Sequence, residues 1–281
     1  MIENNQPIIT IQINLLIQAI HERYGYDFHA YVFSSLERRL EEFMKKEAID
    51  NYYHLIDNIL HSKDYFEKFL SCLSVNVTEM FRDPIFFDNL RKKVIPALKT
   101  YPSLKIWIAG CSTGEEAFSI AILLAEEGLL NRTKIYATDI NDALITRAKQ
   151  GVYSIDHIKL YTENYNKFKG KADFSDYYHA RYDSAVIAHN IRKHIAFFQH
   201  NLAMDGIFNT FHLILCRNVL IYFDRSLQNR ALQLLSDSLE NSGYLCLGLK
   251  ETLSTTAVEN FFTLIDRKGK IYKKLHAGVY D

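Results

Sequence analysis

The sequence has few of the residues that would indicate a secreted, metal-binding or membrane-spanning protein. Its 281 residues include only 4 cysteines, 4 prolines and 1 tryptophan. The cysteines lie far apart without Cys-x-x-Cys pairing, which predicts neither a disulfide framework nor a zinc site, and no metal is expected. No apolar run approaches 18 residues, and the N-terminus lacks the basic start of a signal peptide. We therefore expect a cytoplasmic protein without a transmembrane helix.

The sequence also lacks a surplus of charge of either sign. Lys plus Arg and Asp plus Glu both number 33, so no global field attracts nucleic acid or a membrane surface. The hydrophobic content of 48% is normal for a globular chain. We expect a monomer that binds no nucleic acid and does not insert into a membrane.

One stretch of the chain predicts a ligand site. The apolar run 106–109 reads as a buried strand, a turn of small residues follows, and a helix starts at Glu115, so the stretch predicts the first βα unit of a doubly wound sheet. The turn has glycine only at Gly110 and Gly114, and Glu115 and Glu116 would repel a phosphate. They suit a ligand with an amino group, although acidic residues also favour any helix N-terminus through its dipole.

The remaining chain predicts two domains. Residues 1–75 have only helical periodicity, with Asp50 as an expected N-cap, and residues 76–103 read as a linker with a connecting helix that Asp83 caps. Residues 104–281 alternate strands and helices and end in a hairpin. The tyrosine-rich segment 152–193 predicts an insert with a short helix and a small antiparallel sheet, which we interpret as an appendage for recognising a partner or substrate. Its exposed strand edge could accept an added peptide strand.

A parallel core with an antiparallel tail is the expected pattern of a class I S-adenosylmethionine-dependent methyltransferase, a Rossmann-like α/β fold. Asp139 ends the predicted second strand, 25 residues after Gly114. A carboxylate at that position is well placed to accept hydrogen bonds from ribose hydroxyls.

Several motifs narrow the family. They are Asn-Val-Thr-Glu-Met-Phe-Arg at 76–82, Ala-Gly-Cys-Ser-Thr-Gly-Glu-Glu at 109–116, Ala-Thr-Asp-Ile at 137–140, Asn-Leu at 201–202 and Cys-Arg-Asn-Val-Leu-Ile-Tyr-Phe-Asp at 216–224. With these motifs, the helical N-terminal domain and the insert, the chain resembles the CheR-type chemoreceptor glutamate O-methyltransferases. The resemblance covers nearly the whole chain from about Phe28. It implies methyl transfer from S-adenosylmethionine to glutamate carboxylates of chemotaxis receptors, with S-adenosylhomocysteine as the product.

The resemblance also implies roles for single residues. Arg82 and Tyr222 correspond to the pair nearest the reacting methyl group and the substrate carboxylate. Glu116 corresponds to the ligand of the cofactor's amino group. The other implied cofactor-binding residues are Asn76, Thr78, Asp139, Asn201, Leu202, Arg217 and Asn218, with Arg82 shared between the two sets.

The implied partner is the cytoplasmic helical region of a chemoreceptor. In this family the N-terminal domain faces that acidic region, and the charged second helix supplies the candidate docking residues Arg38, Arg39, Lys45 and Lys46. A solvated helix face with pairs four residues apart is the plainer interpretation of the same charges. At the end of the strand predicted over 244–249, the chain has Gly248-Leu249-Lys250-Glu251 where the family usually has Gly-His-Ser-Glu, which puts substrate detail in doubt.

Two alternative functions remain open from the sequence. One is a methyltransferase for a different protein or a small molecule. The other is a non-catalytic regulator that binds S-adenosylmethionine and signals through the helical domain. The presence of both Arg82 and Tyr222 argues against the regulator.

Overall fold

The computed structural model describes residues 7–73 and 78–276. The chain forms two compact units, one of residues 1–75 with 222–228 and one of residues 76–221 with 229–281. Within the described ranges, no helix is long and apolar enough to span a membrane.

The first unit is built on four helices: α1 Ile8–Tyr24, α2 Phe33–Glu47, α3 Tyr52–His61 and α4 Lys63–Leu73. Buried residues recur every three or four positions along each helix, as for Ile13, Leu16 and Ile20, so each helix turns one apolar stripe inward. Tyr24 stacks on Phe66 with ring centroids 3.9 Å apart. The predicted cap at Asp50 is wrong by one residue, because the Asn51 side chain accepts the bond from the His54 N–H at 3.0 Å.

A distant segment of the chain completes this helical unit. The Tyr222 carbonyl accepts a hydrogen bond from the Val32 N–H at 3.0 Å, and the Asp224 N–H donates to the Ala30 carbonyl at 2.8 Å. Tyr31 and Phe223 form an antiparallel bridge between these bonds. Residues 222–224 are therefore held by the segment that leads into α2.

The second unit contains a seven-stranded and a three-stranded sheet. Its strands are β1 Leu104–Ala109, β2 Thr133–Asp139, β3 Val152–Ser154, β4 Tyr178–Arg181, β5 Ser184–Ile187, β6 Ile195–Gln199, β7 Phe211–Cys216, β8 Leu239–Leu247, β9 Phe262–Asp266 and β10 Ile271–Lys274. Its helices are α5 Pro84–Lys93, α6 Ile95–Leu98, α7 Glu115–Glu126, α8 Asp142–Gln150, α9 Ile155–Phe168 and α10 His189–Arg192; α11 Arg225–Asp237 begins in residues that group with the helical unit.

The order of the large sheet places a crevice beside β1. The order is β6-β2-β1-β7-β8-β10-β9, with β1, β2, β6, β7 and β8 parallel and the last hairpin antiparallel. The chain proceeds from β1 to β2 and β6 on one side and later to β7 and β8 on the other. Loops at such a switch point diverge, and ligands of open α/β sheets bind there. The predicted class I methyltransferase fold, with its antiparallel tail, is confirmed.

The insert consists of α9 and the small sheet β3-β5-β4, as the sequence predicts. The Glu126 carboxylate at the end of α7 holds it, accepting bonds from the hydroxyls of Tyr165 and Tyr177 and from the Lys171 N–H. Arg91 pairs with the same carboxylate. Because the side chain of Glu126 is almost fully buried, this network fixes the insert to the core of its unit.

The connecting region differs from its prediction in two ways. The expected single helix to Leu98 is broken at Val94 into α5 and α6, because Pro96 lacks the N–H that would continue the helix. The expected cap at Asp83 is wrong, since its side chain makes no capping bond and its backbone is left-handed with φ 59°.

Candidate functional site

The turn after β1 folds across the end of β2. The N–H groups of Gly110 and Cys111 both donate to the Thr138 carbonyl at 2.8 Å. Gly110 and Gly114 have φ of 77° and 96°, which glycine adopts without steric cost. The turn therefore needs both glycines for its shape, whatever it binds.

Asp139 closes this turn from the end of β2. Its Oδ2 accepts the Ser112 N–H at 2.8 Å and its Oδ1 accepts the Asn141 N–H at 3.0 Å. Burial raises the pKa of this carboxyl, and the N–H donors oppose that shift. Each oxygen has a second lone pair, so the carboxylate can still accept bonds from hydroxyl groups of a ligand.

The turn touches the loop that follows β7. A Cβ atom at Gly110 would lie 2.3 Å from Cγ2 of Val219, far inside van der Waals contact. Glycine is therefore the residue that lets these two loops meet at the switch point.

Glu116 and Arg217, both predicted cofactor residues, form an ion pair. Nη1 of Arg217 donates to Oε1 of Glu116 at 2.6 Å, and Nη2 donates to Oδ2 of Asp83 at 2.7 Å. The guanidinium also lies over the Phe86 ring, 4.0 Å from its centroid. The Arg217 side chain is only 2% exposed, so the structure assigns it a fixed position between two carboxylates. Asp83 is not among the residues that the sequence predicts for the site, because its Asp-Pro pattern is typical of a helix cap.

Glu115, the neighbouring glutamate, faces the interior. Both of its carboxyl oxygens accept the Thr113 hydroxyl, at 2.9 and 2.7 Å, and Oε1 also accepts the Tyr161 hydroxyl at 3.2 Å. Burial raises the pKa of Glu115 to about 7 despite these donors. The two adjacent glutamates thus differ, with Glu116 at the crevice side and Glu115 inside the fold.

The buried Glu115 predicts a specific pH dependence of stability. Its pKa is about 7 in the fold and 4.5 ordinarily, so between these pH values the native state keeps a proton that the unfolded chain releases. Stability should therefore fall as pH rises from 5 to 8, with about 2–3 kcal/mol coming from this group. Urea unfolding across that range should show a flatter profile for Glu115→Gln, whereas the exposed Glu163→Gln should keep the wild-type slope. Superimposable profiles for the wild type and Glu115→Gln would contradict the prediction.

A buried carboxylate that the sequence did not single out organises the loop after β7. Glu251 accepts four backbone N–H groups, those of Asn218 at 3.0 Å, Val219 at 2.9 Å, Leu220 at 2.8 Å and Gly248 at 2.5 Å. Burial raises the pKa of this carboxyl, and the four N–H donors oppose that shift. Glu251 is the part of the Gly-His-Ser-Glu pattern that this chain retains, which was the available signal.

The other residues predicted to bind the cofactor lie on loops that follow strands of the large sheet. The His200 N–H donates to the Asp139 carbonyl at 3.1 Å, which places Asn201 next to the end of β2. Asn201 folds its own loop, accepting the Ala203 N–H on Oδ1 at 2.9 Å, and Leu202 is buried. Asn218 has a left-handed backbone beside Gly248.

The segment that carries Thr78 and Arg82 is anchored to α7 and α9. The Phe81 N–H donates to the Ser119 hydroxyl at 2.9 Å, and Asn164 donates to the Met80 carbonyl at 3.2 Å. Thr78 and Arg82 are both half-buried. Asn76 lies outside the described residues.

Tyr222 and the docking candidates belong to the helical unit. The Arg39 guanidinium lies 4.5 Å from the centroid of the Tyr222 ring, and Arg39 is 6% exposed. Arg38, Lys45 and Lys46 are exposed on the same helix α2, and Arg38 pairs with Glu42 at 3.1 Å. Arg39 thus differs from the other three in being covered.

Comparisons with known proteins identify the family of the chain. The family model described as CheR methyltransferase, SAM binding domain, matches residues 76–269, and CheR methyltransferase, all-alpha domain, matches residues 11–74. A Pseudomonas putida protein named as methyltransferase Cher3 is 45% identical over 264 residues, covering 94% of this chain and 97% of that protein. A chemotaxis protein methyltransferase of Listeria innocua is 31% identical, covering 85% and 89%, and one of Borreliella burgdorferi is 30% identical, covering 89% and 90%.

The residues present fit S-adenosylmethionine. Carboxylates suit its amino group and its ribose hydroxyls, and the turn 110–116 contains no lysine or arginine that would suit a phosphate. Among the described side chains, Ser112 Oγ and Arg217 Nε are buried without a hydrogen-bond partner, on the two loops that meet at the switch point. The chain belongs to the CheR methyltransferase family, and S-adenosylmethionine is its cofactor.

Proposed function

We propose that this enzyme methylates glutamate side chains of chemotaxis receptors, forming methyl esters that adjust receptor signalling. Binding of the cofactor is supported by two carboxylates beside the turn 110–114. Glu116 lies in the first turn of α7, and Asp139 accepts a hydrogen bond from the Ser112 N–H of the turn. Methylation of chemotaxis receptors is supported by relatives that are named chemotaxis protein methyltransferases and that align over most of their length.

The proposed cofactor contacts are those that the family resemblance implies. Glu116 binds the amino group, Asp139 the ribose, and Asn201 and Leu202 the adenine. Asn76, Thr78, Arg82, Arg217 and Asn218 complete the proposed contacts. When bound, the cofactor supplies a methyl group activated by a positively charged sulfur.

The protein needs no general base for this reaction. A glutamate carboxylate has an ordinary pKa of about 4.3 and is already an anionic nucleophile at pH 7. The work left to the protein is alignment and removal of water, and orientation alone can contribute roughly 7–11 kcal/mol to catalysis. We assign the orientation of the carboxylate to Arg82 and the shape of the transfer pocket to Tyr222.

Substitution of these two residues should slow methyl transfer without unfolding the protein. Arg82→Ala removes a cation that pairs with the substrate, and Tyr222→Phe removes a hydroxyl from the pocket. Because small misplacements of reacting groups are costly, we expect at least about a 100-fold loss of turnover for Arg82→Ala and about a tenfold loss for Tyr222→Phe. Turnover is measured with labelled methyl groups, and melting temperatures check the fold.

The exposed residues Arg267 and Tyr53 provide matched controls, as Arg267→Ala and Tyr53→Phe, which should retain wild-type turnover. Full activity of both Arg82→Ala and Tyr222→Phe would refute the assignment.

The docking surface is proposed on α2. Arg38, Lys45 and Lys46 offer exposed positive charge to an acidic helical receptor segment, whereas Arg39 is covered and lies over the Tyr222 ring.

A transfer assay on a receptor fragment separates the possible substrates. Label that alkali releases as methanol is expected, because carboxyl methyl esters hydrolyse in base. Label that is stable to alkali would identify a different acceptor, and binding of the cofactor without transfer would identify a regulator.

A further inference from the structure

Asp83 makes a contact that its place at a helix start does not explain. It precedes α5 in a left-handed conformation, φ 59°, which is uncommon outside glycine, although aspartate adopts it more readily than most residues. Its side chain caps no N–H of the helix and instead accepts Nη2 of Arg217 at 2.7 Å. Strained residues of this kind persist where their surroundings fix them, and they cluster at functional sites.

Two elements fix the strained segment. Phe81, two residues before Asp83, also has a left-handed backbone, with φ 54°. Its N–H donates a hydrogen bond to the Ser119 hydroxyl on α7 at 2.9 Å. Three residues after Asp83, the Phe86 ring lies against the Arg217 guanidinium at 4.0 Å. The start of α5 therefore holds Arg217 by an ion pair and a cation–π contact at once.

The charges of this cluster sum to minus one. Arg217 carries one positive charge, and Asp83 and Glu116 carry one negative charge each. Without Asp83, Glu116 would share a neutral pair with a buried arginine and would attract an ammonium group weakly. With Asp83 present, Arg217 is neutralised from its other side, and the negative charge of Glu116 remains for a cationic ligand.

We propose that Asp83 is a positioning residue that acts through Arg217 to keep Glu116 available for the ammonium group of the cofactor. The proposal rests on the proposed role of Glu116. Asp83 does not touch the cofactor in this scheme; it sets the charge and the orientation of the arginine that does touch Glu116.

Two probes separate this role from a structural one. S-adenosylhomocysteine carries the amino-acid end, whereas 5′-methylthioadenosine shares the adenosine but lacks that end, both its α-ammonium group and its carboxylate. In calorimetric titrations of the full chain, Asp83→Asn should weaken S-adenosylhomocysteine by about tenfold or more and change 5′-methylthioadenosine by less than about twofold. Asp83→Glu, which restores the charge, should recover most of the lost affinity.

Asp88, on the helix that Asp83 precedes, supplies the control, since its carboxylate pairs with the exposed Lys92 at 2.7 Å. Asp88→Asn should bind both probes as the wild type does. Equal weakening of both probes by Asp83→Asn, or no weakening of either, would overturn the proposal. Glu116→Gln tests the underlying assignment separately: unchanged affinity for S-adenosylhomocysteine in that variant would overturn the role of Glu116, whereas a loss confined to Glu116→Gln would overturn only that of Asp83.

Discussion

Replacing Glu251 with alanine is expected to lower the free energy of unfolding by about 3–5 kcal/mol, among the largest effects of any single substitution in this chain. The carboxylate accepts four backbone N–H groups from two loops. Its loss leaves several of these donors buried without a partner, and each unsatisfied donor costs about 1–3 kcal/mol before the loops relax. Urea unfolding measures the change.

The substitution of Glu251 should also weaken cofactor binding. Asn218 and Val219 stand on the loop that Glu251 holds, and Val219 is the residue that meets Gly110. A loosened loop should weaken S-adenosylhomocysteine binding by at least about tenfold. Glu259→Ala is the control, since the exposed Glu259 accepts one bond from the Thr255 N–H at 2.6 Å, and its removal should cost less than about 1 kcal/mol. Equal stabilities of the two variants would contradict the role given to Glu251.

Gly110→Ala is expected to reduce both stability and cofactor affinity. The left-handed backbone costs a non-glycine residue about 1–2 kcal/mol, and the new methyl group would overlap Cγ2 of Val219, for which overpacking costs typically about 1–3 kcal/mol more. Together these effects predict a loss of about 2–5 kcal/mol in unfolding free energy. Affinity for S-adenosylhomocysteine should fall with it, because the two loops can no longer meet.

A second substitution makes this prediction specific. Val219→Ala removes the overlapping methyl group, so the double variant Gly110→Ala, Val219→Ala should regain about half of the lost stability, leaving the backbone cost. A double variant that is no more stable than Gly110→Ala would show that the contact between the loops is not the cause.

Much of the fold could be predicted from the sequence, because neighbouring residues determine where a strand or helix begins and ends. The strand expected over 106–109 is part of β1, the helix expected from Glu115 begins there as α7, and Asn141 caps α8 through local bonds. The capping bond of Asn141 to Ala143 and Leu144 spans three residues at most, so periodicity and turn chemistry suffice.

The contacts that the sequence did not predict share a different cause. Asp83 has the local pattern of a cap, yet its carboxylate is bound by Arg217, which follows it by 134 residues. Glu251 holds N–H groups more than 30 residues away. No local pattern encodes such partners, because the backbone path that brings them together is decided by the sheet order. The resemblance named Glu116 and Arg217 singly, and the geometry adds that they are bonded to each other.

The helical unit is discontinuous in the sequence, and this has a consequence for its synthesis. Its described N-terminal helices leave the ribosome first, but the strand-like segment around Phe223, which pairs with Tyr31, is made only after residues 76–221. The backbone hydrogen bonds of Ala30 and Val32 to Asp224 and Tyr222 can therefore form only after most of the other unit has been synthesised. Since Tyr222 arrives with that segment, the helical unit forms these hydrogen bonds and acquires its proposed catalytic tyrosine late in the synthesis of the chain.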